Sequence, residues 1–82
     1  MPRIIDSEKC NITGECIKEA RQNAGLSQKE LSARLEIKAV YVCRGSISRI
    51  ESGVRTVTDI ELDAISEELG VSLNFLFGRE NY

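Results

Sequence analysis

Residues 44–56 read Arg44-Gly45-Ser46-Ile47-Ser48-Arg49-Ile50-Glu51-Ser52-Gly53-Val54-Arg55-Thr56, and their reading decides the fold of the chain. Ile47 and Ile50 stand three apart, the spacing of one helix face, and Gly53 follows as a stop, so a short helix is expected over 44–52. Three arginines and four small hydroxyl side chains crowd into these thirteen residues of a chain whose net charge is −2. That local excess of cations needs an explanation.

Working outward toward the N-terminus, Glu36 to Cys43 contains no Gly or Pro. It either continues a preceding helix or forms an extended connection. Val40-Tyr-Val-Cys43 has strand-like composition, but one short run makes no sheet. Ser27-Gln28-Lys29-Glu30 has the form of a capping box, with Leu31 and Leu35 marking the buried face of the helix it opens. From Thr13 to Ala24 apolar residues at 16, 17, 20 and 24 give another helix, with Gly25 as its stop. Toward the C-terminus, Thr58 to Glu61 is a second capping box, and Leu62, Ile65 and Leu69 carry a helix to Gly70. Ser72 caps a last short helix holding Leu73, Phe75, Leu76 and Phe77 before Gly78. The expectation is an all-α, compact five-helix domain over 12–78, a flexible N-terminal tail over 1–11 and a C-terminal tail over 79–82.

From eighty-two residues with 41% hydrophobic content and no Trp, one aliphatic core and no separate effector domain are expected. No apolar run approaches the roughly 18 residues of a membrane span, and Met1 to Asp6 lacks the apolar region of a signal peptide, so a cytoplasmic protein with no membrane partner is expected. The charge is polarised: residues 1–16 carry −1, residues 17–55 carry +4 from eight Lys or Arg against four Glu, and residues 56–82 carry −5. A basic segment can attract phosphate even in an acidic chain, although charge alone equally describes a solvated surface. Cys10, Cys16 and Cys43 form no Cys-x-x-Cys pair and no histidine accompanies them, so neither a metal nor a cofactor is expected. Cys16 and Cys43 read as small buried hydrophobes, and Cys10 as an exposed tail thiol for which redox switching is the second reading.

Four segments in order now carry a resemblance: Ile17-Lys-Glu-Ala-Arg21, Gly25-Leu-Ser-Gln-Lys-Glu-Leu-Ser32, Ile47-Ser-Arg-Ile-Glu-Ser-Gly53 and Glu68-Leu-Gly-Val-Ser-Leu-Asn-Phe-Leu-Phe77. From about Ile12 to Gly78 the chain resembles the bacterial and phage helix-turn-helix regulators that include the phage Cro and repressor proteins, the XRE-like family. The resemblance implies double-stranded DNA as partner, with Arg44, Gly45, Ser46, Ser48 and Arg49 on the groove-facing side of the third helix and Ile47 and Ile50 turned inward. Arg44 and Arg49 are five apart, near enough to one turn to share a side, and an arginine that presents two donors to guanine O6 and N7 discriminates by about 1–3 kcal/mol. Gly45 serves either close approach of backbone to DNA or the turn at the helix start. Ser46 and Ser48 donate to phosphate or base, or Ser46 caps the helix. Gln28 matches a phosphate-binding position at the start of the second helix, with Lys29 and Arg55 as further phosphate candidates. Arg21 and Glu51 match a structural ion pair of the family.

One departure from the family stands out. Leu31 and Ile47 are sixteen apart, where the family has about eleven, so the connection inside the helix-turn-helix is about five residues longer and lacks the usual turn Gly. The extra residues either lengthen the second helix or its loop, or build a second contact surface around Lys38 and Tyr41. No catalytic constellation can be named, so no enzyme is expected. The resemblance leads to a dimeric, sequence-specific repressor, with Phe75, Leu76, Phe77 and Tyr82 as a candidate homodimer face. An antitoxin-like module that neutralises a protein partner is the alternative, and RNA is a weaker third, for want of an aromatic stacking platform.

Overall fold

The computed structural model describes residues 9–80 and contains five helices: α1 Gly14–Asn23, α2 Gln28–Ile37, α3 Arg44–Ser52, α4 Asp59–Leu69 and α5 Leu73–Leu76. No strand occurs among the described residues. Ser27 and Thr58 each close a capping box: Ser27 Oγ accepts from the Glu30 amide at 3.0 Å while Glu30 Oε1 accepts from the Ser27 amide at 2.8 Å, and Thr58 and Glu61 repeat the exchange at 3.1 and 2.9 Å. Ser72 Oγ caps α5 through the Phe75 amide. These side chains fix the first turns of α2, α4 and α5, so the starts of these helices follow from local sequence.

The five helices enclose one aliphatic core. Ile17 of α1, Leu31 and Leu35 of α2, Ile47 and Ile50 of α3, Ile65 of α4 and Leu76 of α5 are all at most 1% exposed. At about 1.5–3 kcal/mol for each buried aliphatic side chain, this cluster is the main force holding α3 in place. The third helix packs against both α1 and α2, and α5 closes the core against α1 and α4.

The long connection between α2 and α3 is settled at Ala39. This residue has φ of 62°, and it is the only non-glycine residue at positive φ among those described. Its amide reaches Glu36 O at 2.9 Å and the Val40 amide reaches Leu35 O at 2.9 Å, the paired bonds of a left-handed helix terminus. The Gly53 end of α3 has the same form, with Gly53 N to Ile50 O at 3.1 Å and Val54 N to Arg49 O at 2.9 Å. Ala39 therefore stands where a glycine is favoured, and α2 stops rather than continuing. Beyond it the chain runs extended: Val42 is buried, Val40 is half-buried, and Tyr41 and Cys43 face outward.

Three expectations are corrected by these positions. Cys43 is exposed rather than buried, because the extended connection alternates its side chains and Val42 takes the inward place. Phe75 and Leu76 belong to the core, at 7% and 0% exposure, and are not free for a dimer face; Phe77 remains exposed, and Tyr82 lies outside the described residues. Asn11, expected within a tail over residues 1–11, is instead half-buried and hydrogen-bonded to both α1 and the end of α3. Residues 1–8 lie outside the described residues.

Candidate nucleic-acid interface

The arrangement of α3 follows from its two isoleucines. With Ile47 and Ile50 sunk into the core, the opposite side carries Arg44, Gly45, Ser48 and Arg49, all exposed, and Ser46 half-exposed at its border. The side chains of Arg44 and Ser48 make no hydrogen bond or ion pair among the described residues. Arg49 Nη2 donates to Ser46 Oγ at 3.3 Å, so the guanidinium folds back one turn toward the start of the helix. A Cβ at position 45 would lie 3.4 Å from Arg49 Nη1, so Gly45 leaves bare backbone beneath that guanidinium. The two arginines thus share the first half of α3, together with its free amides and the positive end of its dipole.

Ser46 does not cap the helix. The N-cap is Cys43, and its thiol donates to Ser46 Oγ at 3.3 Å. When Cys43 ionises, the Ser46 hydroxyl can turn to donate to the thiolate, as does the Ser46 amide, and this holds the Cys43 pKa below the ordinary cysteine range. Sequence reasoning missed this residue at the border of the site. The signal available for it was spacing, since Cys43 and Ser46 stand as N-cap and third helical residue.

The far end of α3 is tied instead of free. Glu51, 6% exposed, accepts from Arg21 Nε at 2.7 Å and Arg21 Nη2 at 3.0 Å, and Arg21 Nη1 donates to Leu26 O at 2.8 Å. The hydrogen bond with Glu51 is the main cause that raises the Arg21 pKa above its usual value. Gln28 Nε2 also donates to Glu51 Oε1, at 3.1 Å. The Gln28 side chain thus joins α2 to the end of α3, and its backbone amide stays at the exposed start of α2. Lys29 is exposed beside it and unpaired among the described residues.

Arg55 does not project freely. Its Nη1 and Nη2 bond Glu61 Oε1 and Oε2 at 3.1 and 3.0 Å, and Nη1 also donates to Thr56 O at 2.9 Å. The Arg55 guanidinium holds the Glu61 carboxyl below the usual carboxylate range. In the connection, Lys38 Nζ lies 3.6 and 3.7 Å from carboxylate oxygens of Glu67 and Glu68, and Arg34 lies 3.6 Å from Glu68. Arg21, Arg34, Lys38 and Arg55 are therefore paired, while Lys18, Lys29, Arg44 and Arg49 are the cations of residues 17–55 left unpaired by carboxylates among the described residues. The positive charge available to a ligand is concentrated on α3 and the start of α2 more sharply than the charge count along the chain implies.

Two consecutive helices joined by a fixed turn, the second presenting a polar, cationic face outward, define a helix-turn-helix domain. The family model described as Helix-turn-helix, HTH_3, matches residues 17–76. The chain belongs to this family of Cro/C1-type regulators, whose domain binds double-stranded DNA. No curated protein and no solved structure matches the chain. No helix among the described residues is long and apolar enough to cross a membrane.

Proposed function

We propose that this chain is a sequence-specific transcriptional repressor that binds a two-fold operator as a dimer, with α3 in the major groove. The observation that carries the reading is the division of α3: a side at most 1% exposed, formed by Ile47 and Ile50, against an outward side whose cations no carboxylate neutralises among the described residues. Arg44 and Arg49 read base edges, and Ser46 and Ser48 donate to phosphate or base. Gly45 allows backbone and Arg49 together to approach the groove floor.

Phosphate contact falls to the Gln28 backbone amide, because the Gln28 side chain is held by Glu51, and to Lys29 beside it. Arg55 is assigned the smallest share, since it reaches a phosphate only by leaving Glu61. For the dimer, the apolar surface left on and beside α5 is Leu73 and Phe77. Two copies are expected on one site because a single short helix reads only a few base pairs.

The test is selection from a random duplex pool, followed by affinity against salt on the winning sequence. The reading predicts an enriched two-fold site and a steep fall of affinity with salt. A folded chain that enriches no site at low salt would overturn it.

A further inference from the structure

We propose that Asn11 is a positioning residue for DNA recognition, locking the exit end of α3 onto the entry end of α1. The proposal rests on the reading of α3 as the recognition helix. One amide group spans both elements. Asn11 Nδ2 donates to Ile50 O at 3.1 Å and to Arg55 O at 2.7 Å, while Oδ1 accepts from the Thr13 amide at 2.9 Å, the Gly14 amide at 2.8 Å and Thr13 Oγ1 at 3.2 Å. Only a primary amide has two donors and a two-lone-pair acceptor on so short a stem, so neither Asp nor Ser can replace both halves.

Backbone contacts at the same junction are independent of that side chain. The Cys10 amide donates to Gly53 O at 2.6 Å. Gly14 lies so close to α3 that a Cβ there would fall 2.3 Å from Ile50 O and 2.8 Å from Glu51 O. The first turn of α1, with its free amides and positive dipole end, thus abuts the last carbonyls of α3, with their negative end. Thr13, the N-cap of α1, makes no capping bond with its own side chain, and Asn11 supplies the missing acceptor from outside the helix.

The consequence for recognition is geometric. Carbonyls of residues 50, 53 and 55 are all held by residues 10 and 11, so the direction of α3 is fixed at the end opposite Arg44 and Gly45. A side chain that must meet a base edge tolerates only about 0.5 Å of displacement. Loosening the exit end tilts the helix and takes Arg44 and Arg49 out of register, while the cations still attract phosphate.

The experiment compares the full native chain with Asn11→Asp, which keeps oxygen acceptors for α1 and removes both donors to α3. Affinity is measured for the selected duplex and for a scrambled duplex of the same length, at a temperature where circular dichroism shows both proteins fully folded. The expected result is a roughly tenfold loss on the selected duplex, comparable to one lost bidentate base contact, with scrambled-duplex affinity within about twofold. An unchanged ratio of the two affinities overturns the proposal, because a purely structural cap alters melting temperature and leaves discrimination intact. Asn11→Ser, which retains an acceptor but cannot span two carbonyls, gives the same comparison if the aspartate variant fails to fold. Hydrogen exchange on the native chain is a check that needs no variant: the Thr13 and Gly14 amides, whose acceptor is Asn11 Oδ1, should be protected to the level of the α3 amides, and exchange at the free-peptide rate overturns the proposal. A native chain that selects no duplex removes the recognition-helix reading itself, whereas native and Asn11→Asp chains that select equally well remove only the role of Asn11.

Discussion

The two ends of α3 are built in opposite ways. At its start, the side chains of Arg44 and Ser48 have no partner among the described residues, and the Arg49 guanidinium bonds only the neighbouring Ser46 hydroxyl. At its end, Glu51 is held by Arg21 and Gln28, Ile50 O by Asn11, and Gly53 O by the Cys10 amide. A helix that must offer side chains to a ligand has to leave them unsatisfied, and exposed polar groups supply little stability of their own. The rigidity that recognition requires therefore comes from the other end and from the isoleucines beneath. The contrast teaches that, on the proposed reading, stability and recognition fall to different residues within nine positions.

The largest effect expected from breaking this division is at Glu51. Glu51→Ala leaves the Arg21 guanidinium buried without its counter-charge and should cost about 3–5 kcal/mol of folding stability, read from urea unfolding. Arg44→Ala and Arg49→Ala should do the reverse. Each should leave unfolding within about 0.5 kcal/mol of the native chain and lower discrimination between selected and scrambled duplex by about 1–3 kcal/mol.

A smaller effect tests the connection that sets the two helices of the motif relative to each other. Ala39→Gly removes the cost of a Cβ at φ of 62° and should stabilise the chain by about 1 kcal/mol by thermal or urea unfolding. A loss of stability on this change would contradict the account of how α2 ends. The smallest effect concerns pH. The Glu61 pKa is depressed in the folded chain, by Arg55 first and burial notwithstanding. Stability from this group is therefore present above the unfolded glutamate value and is lost as pH falls through the depressed folded value. Glu61→Gln should flatten the acid limb of the stability curve and cost about 1 kcal/mol or less at pH 7.

Much of this architecture was legible in the sequence where the determinant was local. Ser27 with Glu30, Thr58 with Glu61, and Ser72 declared three helix starts, and Gly53 and Gly70 two helix ends, because each signal acts within one turn of chain. The end of α2 was not legible, since Ala39 takes a left-handed conformation that its side chain does not announce. The outward turn of Cys43 was hidden in an all-apolar run, where only the extended backbone decides which of Val40, Tyr41, Val42 and Cys43 faces in.

The candidate site divides along the same line. The outward set Arg44, Gly45, Ser48 and Arg49 followed from the resemblance together with the Ile47 and Ile50 spacing. That Arg55 and Lys38 are neutralised by Glu61, Glu67 and Glu68 could not be read from charges counted along the chain, because those pairs depend on how helices meet in space. Asn11 looked like part of a polar tail. Its bonds to the Thr13 and Gly14 amides are the local signature of an Asn that caps from two or three residues upstream, and its bonds across to α3 exist only once the core has formed.

The most direct test of the central claim is a cycle between protein and DNA. On the selected duplex, each guanine in turn is replaced by 7-deazaguanine, which lacks the N7 acceptor, and affinity is measured for the native chain, Arg44→Ala and Arg49→Ala. The account predicts that at least one guanine per half-site weakens the native chain on replacement and has no effect on one of the arginine variants, since the two changes remove the same contact. Additive losses at every guanine would contradict it and reduce both arginines to phosphate contacts.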